Sequence, residues 1–361
     1  MICRTSGVNR LTIGLLVLLV GVPFSVAAAF DGNKSRADAE HNWPHWRGPL
    51  ATGVAPHGDP PTSWSETKNV RWKIPLTGQG HSSPIVWGDR IFLTSAEPFG
   101  ERLKTPQPDT APGAHDNLLI DRHYRFFVTA LDRATGDVKW KKQVAEALPH
   151  EGGHHTASLA SNSPVTDGRF LVACFGSRGV YCLDFAGNLL WKKNPGVLRT
   201  KHGHGEGTSP VLHDGIVVVN RDHEGQSSIA AWNVESGNLL WQKDRDEVTS
   251  WSSPIVVEHA NRAQVIVAGT RFVRAYDLRS GEVIWQCGGL SSNVVASPVA
   301  ENGLVVVGSS YDTRAMFAIR LDGAVAAVDD RAQLWYNINS PARVGLAAPV
   351  TALLKKLHAS L

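Results

Sequence analysis

The sequence predicts an all-β repeat protein in which small antiparallel sheets pack side by side around one axis. Three observations carry this. A Ser-Pro-apolar triplet recurs as Ser83-Pro84-Ile85, Ser163-Pro164-Val165, Ser209-Pro210-Val211, Ser253-Pro254-Ile255 and Ser297-Pro298-Val299, the serines stepping by 80, 46, 44 and 44 residues. A second motif follows the triplets: Ala130-Leu131-Asp132, Thr135-Gly136 and Trp140, with later copies ending in Gly187 and Trp191, Gly237 and Trp241, and Gly281 and Trp285. Between them lie short β-rich runs such as Ile216 to Val219, Val265 to Ala268 and Leu304 to Val307, separated by Gly, Asn and Asp.

Each element has a physical reason. The Asp or Asn before the turn can bond the backbone two residues on, and Gly takes the left-handed position. A unit of about four short strands cannot bury both faces alone, so stacking the units radially buries them and protects their edges. The expected fold is therefore a β-propeller of four-stranded blades. About five blades are visible, and the pattern leaves the ring incomplete or truncated at the C-terminus. A fifth copy starts at Ala318-Ile319-Arg320 with Asp322-Gly323, but its Trp is out of register. Val70-Arg71-Trp72-Lys73-Ile74 reads as a displaced outer Trp strand that would complete the last blade and remove an open edge.

The chain divides into a leader (residues 1–29), an entry segment (30–69), the propeller (70–323) and an irregular tail (324–361) with a short helix near its end. In the leader, Arg4 and Arg10 precede the apolar run Leu11 to Val20, and Ala27-Ala28-Ala29 offers a cleavage site. That run is shorter than the roughly 20 residues a membrane span needs. The reading is an exported, periplasmic or extracellular protein with no transmembrane segment after cleavage. A net charge of +3, with both signs interspersed, excludes a nucleic-acid footprint. Cys3 falls in the leader, leaving Cys174, Cys182 and Cys287. A hairpin centred on Arg178 would set Cys174 opposite Cys182, either as a bridge or as two small buried side chains.

The triplets and the Asp-Gly-Trp motif resemble the PQQ-like propeller repeat, over roughly residues 42 to 323. That family includes quinoprotein alcohol dehydrogenases, the BamB-type outer-membrane assembly lipoprotein and a large set of exported planctomycete proteins. The segments from Asn42-Trp43-Pro44-His45-Trp46 to Pro49 and from Gly78 to Pro84 look like the entry motif of the last group. Two departures stand out: five blade starts where the family has six to eight, and a Pro-rich insertion from Ala96 to Arg122 in the first blade. The resemblance implies, for the dehydrogenases, PQQ on the axis between a Trp and a disulfide of adjacent cysteines, with calcium held by Glu, Asn and Asp. No adjacent Cys pair exists in the sequence, and Trp251 is the one candidate for the stacking residue, with ordinary propeller packing as the competing reading.

A second candidate is a set of histidines shortly before Ser-Pro strands: His81, His154, His155, His202 and His204, with Glu206 following. Imidazoles and a carboxylate converging near the axis would suit a transition metal such as Zn²⁺ or Cu²⁺; polar loop residues capping turns are the alternative. The reading that follows is a non-catalytic binding or scaffold propeller of the periplasm or cell envelope, holding an envelope protein, peptide or glycan. The alternatives are a PQQ-dependent oxidoreductase of the alcohol or sugar dehydrogenase type and a metal-binding propeller using the histidine loops.

Overall fold

The computed structural model describes residues 37–322 apart from 313, all within the compact unit that begins at Gly32. The leader, the end of the fifth motif copy and the tail with its expected helix lie outside the described residues. Five antiparallel sheets follow one another in chain order. Blade 1 is β1 (Ile85–Trp87), β2 (Arg90–Phe99), β3 (His123–Asp132) and β4 (Val138–Ala147). Blade 2 is β5 (Val165–Thr166), β6 (Phe170–Cys174), β7 (Val180–Asp184) and β8 (Leu189–Lys193). Blade 3 is β9 (Val211–His213), β10 (Ile216–Arg221), β11 (Ser227–Asn233) and β12 (Leu239–Arg245). Blade 4 is β13 (Ile255–His259), β14 (Arg262–Ala268), β15 (Phe272–Asp277) and β16 (Val283–Gly288). Blade 5 has three described strands, β17 (Val299–Glu301), β18 (Leu304–Ser309) and β19 (Ala315–Arg320). The ring is not closed among the described residues.

Strand alternation explains how blades stack. On β10, Val217 and Val219 pack against blade 2, while Ile216 and Val218 pack against blade 4. On β6, Leu171 and Ala173 face blade 1, while Phe170, Val172 and Cys174 face blade 3. Both faces are buried, so middle strands read as continuous apolar runs rather than alternating ones.

Two repeated devices join neighbours. Three outer Trp side chains reach into the next blade's turn, Trp140 Nε1 donating to Phe185 O (2.9 Å), Trp191 to Val234 O (2.7 Å) and Trp241 to Leu278 O (2.8 Å), while Trp285 donates to Gln264 Oε1 (3.0 Å) in its own blade. The turn glycine beneath it is required twice over. Gly281 has φ +70°, and a Cβ there would lie 2.5 Å from the Trp241 ring. The Ser-Pro serines form the second device. Ser83 N donates to Ser163 Oγ, Ser163 N to Ser209 Oγ, Ser209 N to Ser253 Oγ and Ser253 N to Ser297 Oγ, each at 2.9 Å. This ladder crosses all five blades and makes the sequence period a spatial one.

Two expectations are corrected. Val70 to Ile74 is not a strand, yet Trp72 still occupies the outer-Trp position over blade 1, donating from Nε1 to Arg133 O (3.0 Å) above Gly136. Cys174 and Cys182 are free and not opposite one another: Cys174 pairs with Val180, and Cys182 with Val172. The turn is a short 3-10 segment, Gly176–Arg178, which shifts the register by two residues. Burial in the blade 2–3 core pushes the thiols up, to about 11 and about 12, so both stay protonated.

The entry segment lines the inner strands. Trp43 bridges Val86 on β1, Pro44 O accepts from Thr166 N (3.0 Å) on β5, and Arg47 donates to Ser297 O and Pro298 O beside β17. His45 is buried within it, and desolvation together with the Arg47 charge brings its ring down to about 4.

Candidate functional site

The histidine loops and the blade 1 insertion meet over blades 2 and 3. Strand β2 runs on to Phe99, so the insertion proper is residues 100–122. It is tied down by the Asn117–His154 bridge, by His155 N donating to Asp116 O (2.8 Å) and by Asn117 Nδ2 donating to His202 O (2.6 Å). This brings in His115, which no spacing in the sequence singled out. Ring centroids lie 5.1 Å apart for His115–His202, 4.7 Å for His115–His204, 5.2 Å for His202–His204 and 5.0 Å for His154–His204, with His155 4.3 Å from His154.

The hydrogen bonds fix the tautomers. His115 Nδ1 (2.8 Å) and His202 Nδ1 (3.0 Å) both contact Gly113 O, and His155 Nδ1 contacts Asp116 O (3.1 Å). A carbonyl can only accept, so each Nδ1 carries its proton and each Nε2 presents a lone pair. His154 differs, because its Nδ1 accepts from Thr156 N (3.3 Å). Nε2 of His202 and of His204 is buried with no partner among the described residues. His204 is pulled below the ordinary histidine range by desolvation and then by the neighbouring His115 and His154 rings, so it stays neutral. His202 is held in the left-handed region (φ 58°, ψ 9°), an uncommon conformation for a residue other than glycine.

The structure sets the other two candidates apart. His81 is exposed, with its backbone N–H on Ala160 O and Ser158 Oγ, and no ring contact joins it to the cluster among the described residues. Glu206 is engaged in blade 2: it accepts from Ser177 N (2.6 Å) and Ser177 Oγ (2.5 Å) and pairs with Arg178 (3.2 Å). Trp251 donates from Nε1 to Gly205 O (2.7 Å) and forms a wall of the site. Together His115, His202, His204, Trp251, Asn293 and Tyr311 border an open cleft of about 810 Å³, completed by Val295, Ser309 and Met316 from the blade 5 side.

Sheets pinned through Trp and stitched by a serine ladder define a β-propeller with PQQ-like blades. The chain belongs to the family described as outer membrane protein assembly factor BamB, whose model matches residues 125–348, more than half its length. Its structure is similar to BamB from Moraxella catarrhalis (16% identity, 63% of this chain and 74% of that one, TM-score 0.38). It is also similar to a europium-containing methanol dehydrogenase (15%, 63% and 51%, 0.43) and to quinohemoprotein alcohol dehydrogenase from Comamonas testosteroni (13%, 82% and 50%, 0.46). The chain spans about half the length of these two dehydrogenases. No curated protein matches it.

The described residues around the cleft do not fit a calcium–quinone pair. Calcium takes about six to eight oxygen ligands, with carboxylates prominent among them. The cleft has the room but, among the described residues, no carboxylate in its lining. The internal cavity behind Trp251 has Glu206 and Asp222 but holds about 20 Å³, space for roughly one water. Asp222 is moreover bound to Arg245 through two hydrogen bonds of 2.6 and 3.0 Å. Among the described residues, no helix is long and apolar enough to cross a membrane.

Proposed function

We propose that the chain is a non-catalytic binding propeller of the cell envelope, with the histidine-lined cleft as its ligand face and an extended peptide of an envelope protein as its ligand. The cleft is the observation that carries this reading. Its volume is in the range of small-ligand sites, about 300–1,000 Å³, and its lining mixes apolar surface with a few polar groups. Val295, Tyr311 and Met316 stand 64%, 60% and 45% exposed at its blade 5 side, an apolar patch beside imidazoles. Buried Trp and Tyr are the residues that most often dominate binding energy. Export rests on the leader, with Arg4, Arg10 and the apolar run Leu11 to Val20.

The test presents the mature protein to arrays of envelope-protein peptides and of glycans, followed by titration of the hits. Saturable peptide binding that falls at least tenfold in Trp251→Ala and Tyr311→Ala is the expected result. Binding to glycans alone, or peptide binding indifferent to both variants, overturns the reading. A parallel titration with PQQ and calcium is expected to leave the quinone absorbance unchanged.

A further inference from the structure

We propose that His115, His202 and His204 form a three-imidazole site for a divalent transition cation, Zn²⁺ or Cu²⁺, in the wall of the cleft. The proposal adds a ligand to the cleft described above and depends on that cleft being open to solution, not on peptide capture.

Three observations converge. The first is spacing. The three centroids form a near-equilateral triangle of 4.7, 5.1 and 5.2 Å. Imidazoles ligating a tetrahedral Zn²⁺ at about 2.0–2.1 Å hold their centroids about 5 Å apart. The second is protonation geometry. His115 and His202 both direct Nδ1–H to the Gly113 carbonyl. His204 has its Nε2 buried without a partner among the described residues. His115 and His202 therefore each present a lone pair at Nε2 with Nδ1 on a backbone carbonyl, the outer arrangement that metal-bound histidines adopt. His154 is excluded by the same rule, because its Nδ1 accepts a backbone N–H. The third is burial without a partner: Nε2 of His202 and of His204 is shielded and unbonded, and a metal ion would supply what each lacks.

The rings are not yet turned onto a common point. Among the described residues, only His213, Asp214 and Glu258 bring ligand atoms all within 4.8 Å of one another. Ligation in this proposal therefore requires the rings to turn about their side-chain torsions, loosening the Nδ1–H contacts to Gly113 O, while the Cα positions stay as they are. The His213 group is partly exposed, and Arg279 already contacts Asp214 (3.4 Å), so a cation holds part of that site. The supporting loop is built for close approach. Gly113 has φ +69°, and a Cβ on it would stand 2.9 Å from His202 Nδ1. Asn117 holds the carbonyl of the strained His202.

The experiment uses the mature protein stripped with chelator and titrated with ZnSO₄ or CuSO₄ alone, with bound metal counted after dialysis and copper followed by electron paramagnetic resonance. One equivalent is expected, with nitrogen superhyperfine structure from three imidazoles. Affinity should fall by more than the roughly 10–100-fold that outer-shell partners cost in each of His115→Gln, His202→Asn and His204→Gln. His81→Gln and His213→Gln should bind as the wild type does, and circular dichroism of every variant separates a lost ligand from a lost fold. Absence of stoichiometric metal, binding that survives the triple variant, or binding lost in His213→Gln each overturns the proposal. Peptide binding by the metal-free protein is measured separately; its failure counts against the proposed function and leaves the metal site standing.

Discussion

The Ser-Pro strands and the loops just before them occupy the same blades, yet they obey different rules. At the strand starts every blade repeats one device: a serine hydroxyl accepting its neighbour's backbone N–H at 2.9 Å. In the loops nothing repeats. Blades 2 and 3 contribute His154 and His204, blade 1 contributes His115 from an insertion, and blade 5 contributes Tyr311. The recurring serine contacts serve the stack. What breaks the period leaves polar atoms unbonded, such as Nε2 of His202 and His204, and opens a cleft. Substitutions should therefore separate cleanly: repeat positions alter stability, and cleft positions alter binding.

The largest effect is expected at a Trp position. Trp241→Ala removes a buried ring from the blade 3–4 core and should cost about 3–5 kcal/mol in denaturant unfolding. Trp241→Phe keeps most of the packing and loses the bond to Leu278 O, a change of about 1 kcal/mol.

Next comes acid. His45 sits at about 4 in the fold against an ordinary 6.5, because burial favours the neutral ring. Its contribution is fully present above pH 6.5 and is lost as pH falls toward 4, by about 3 kcal/mol in all. Subtracting the unfolding curves of His45→Gln from those of the wild type between pH 7 and 4 isolates it; a difference that stays flat contradicts the assignment.

Ser209→Ala leaves the buried Ser163 N–H without its acceptor and should cost about 1–3 kcal/mol. At the bottom of the scale, His115→Gln should change stability by no more than about 0.5 kcal/mol while altering what the cleft binds. A large loss of stability there would blur the contrast between the two regions.

The repeat was legible because strand period, turn chemistry and Trp spacing all report local physics. The blade starts, the turn glycines and the outer Trp positions stand where the sequence places them. Register at one turn was not legible: a 3-10 segment after Phe175 moves Cys174 from Cys182 to Val180. Nor was Trp72 fully readable, since it keeps its partner across the blade boundary without being on a strand. In the site, His154, His202 and His204 come together, while Glu206 is claimed by Ser177 and Arg178. Tertiary pairing decides that, and no local pattern encodes it. His115 had one weak signal, its place in an insertion that interrupts an otherwise regular chain.

Amide hydrogen exchange on Ser209→Ala tests the central claim most directly. The serine ladder predicts faster exchange at Ser163 N–H, 46 residues away, while Ser209 N–H, held by Ser253 Oγ, stays protected. Unchanged protection at Ser163, with loss confined to residues next to the substitution, would contradict a stack in which each blade start is bonded to the next.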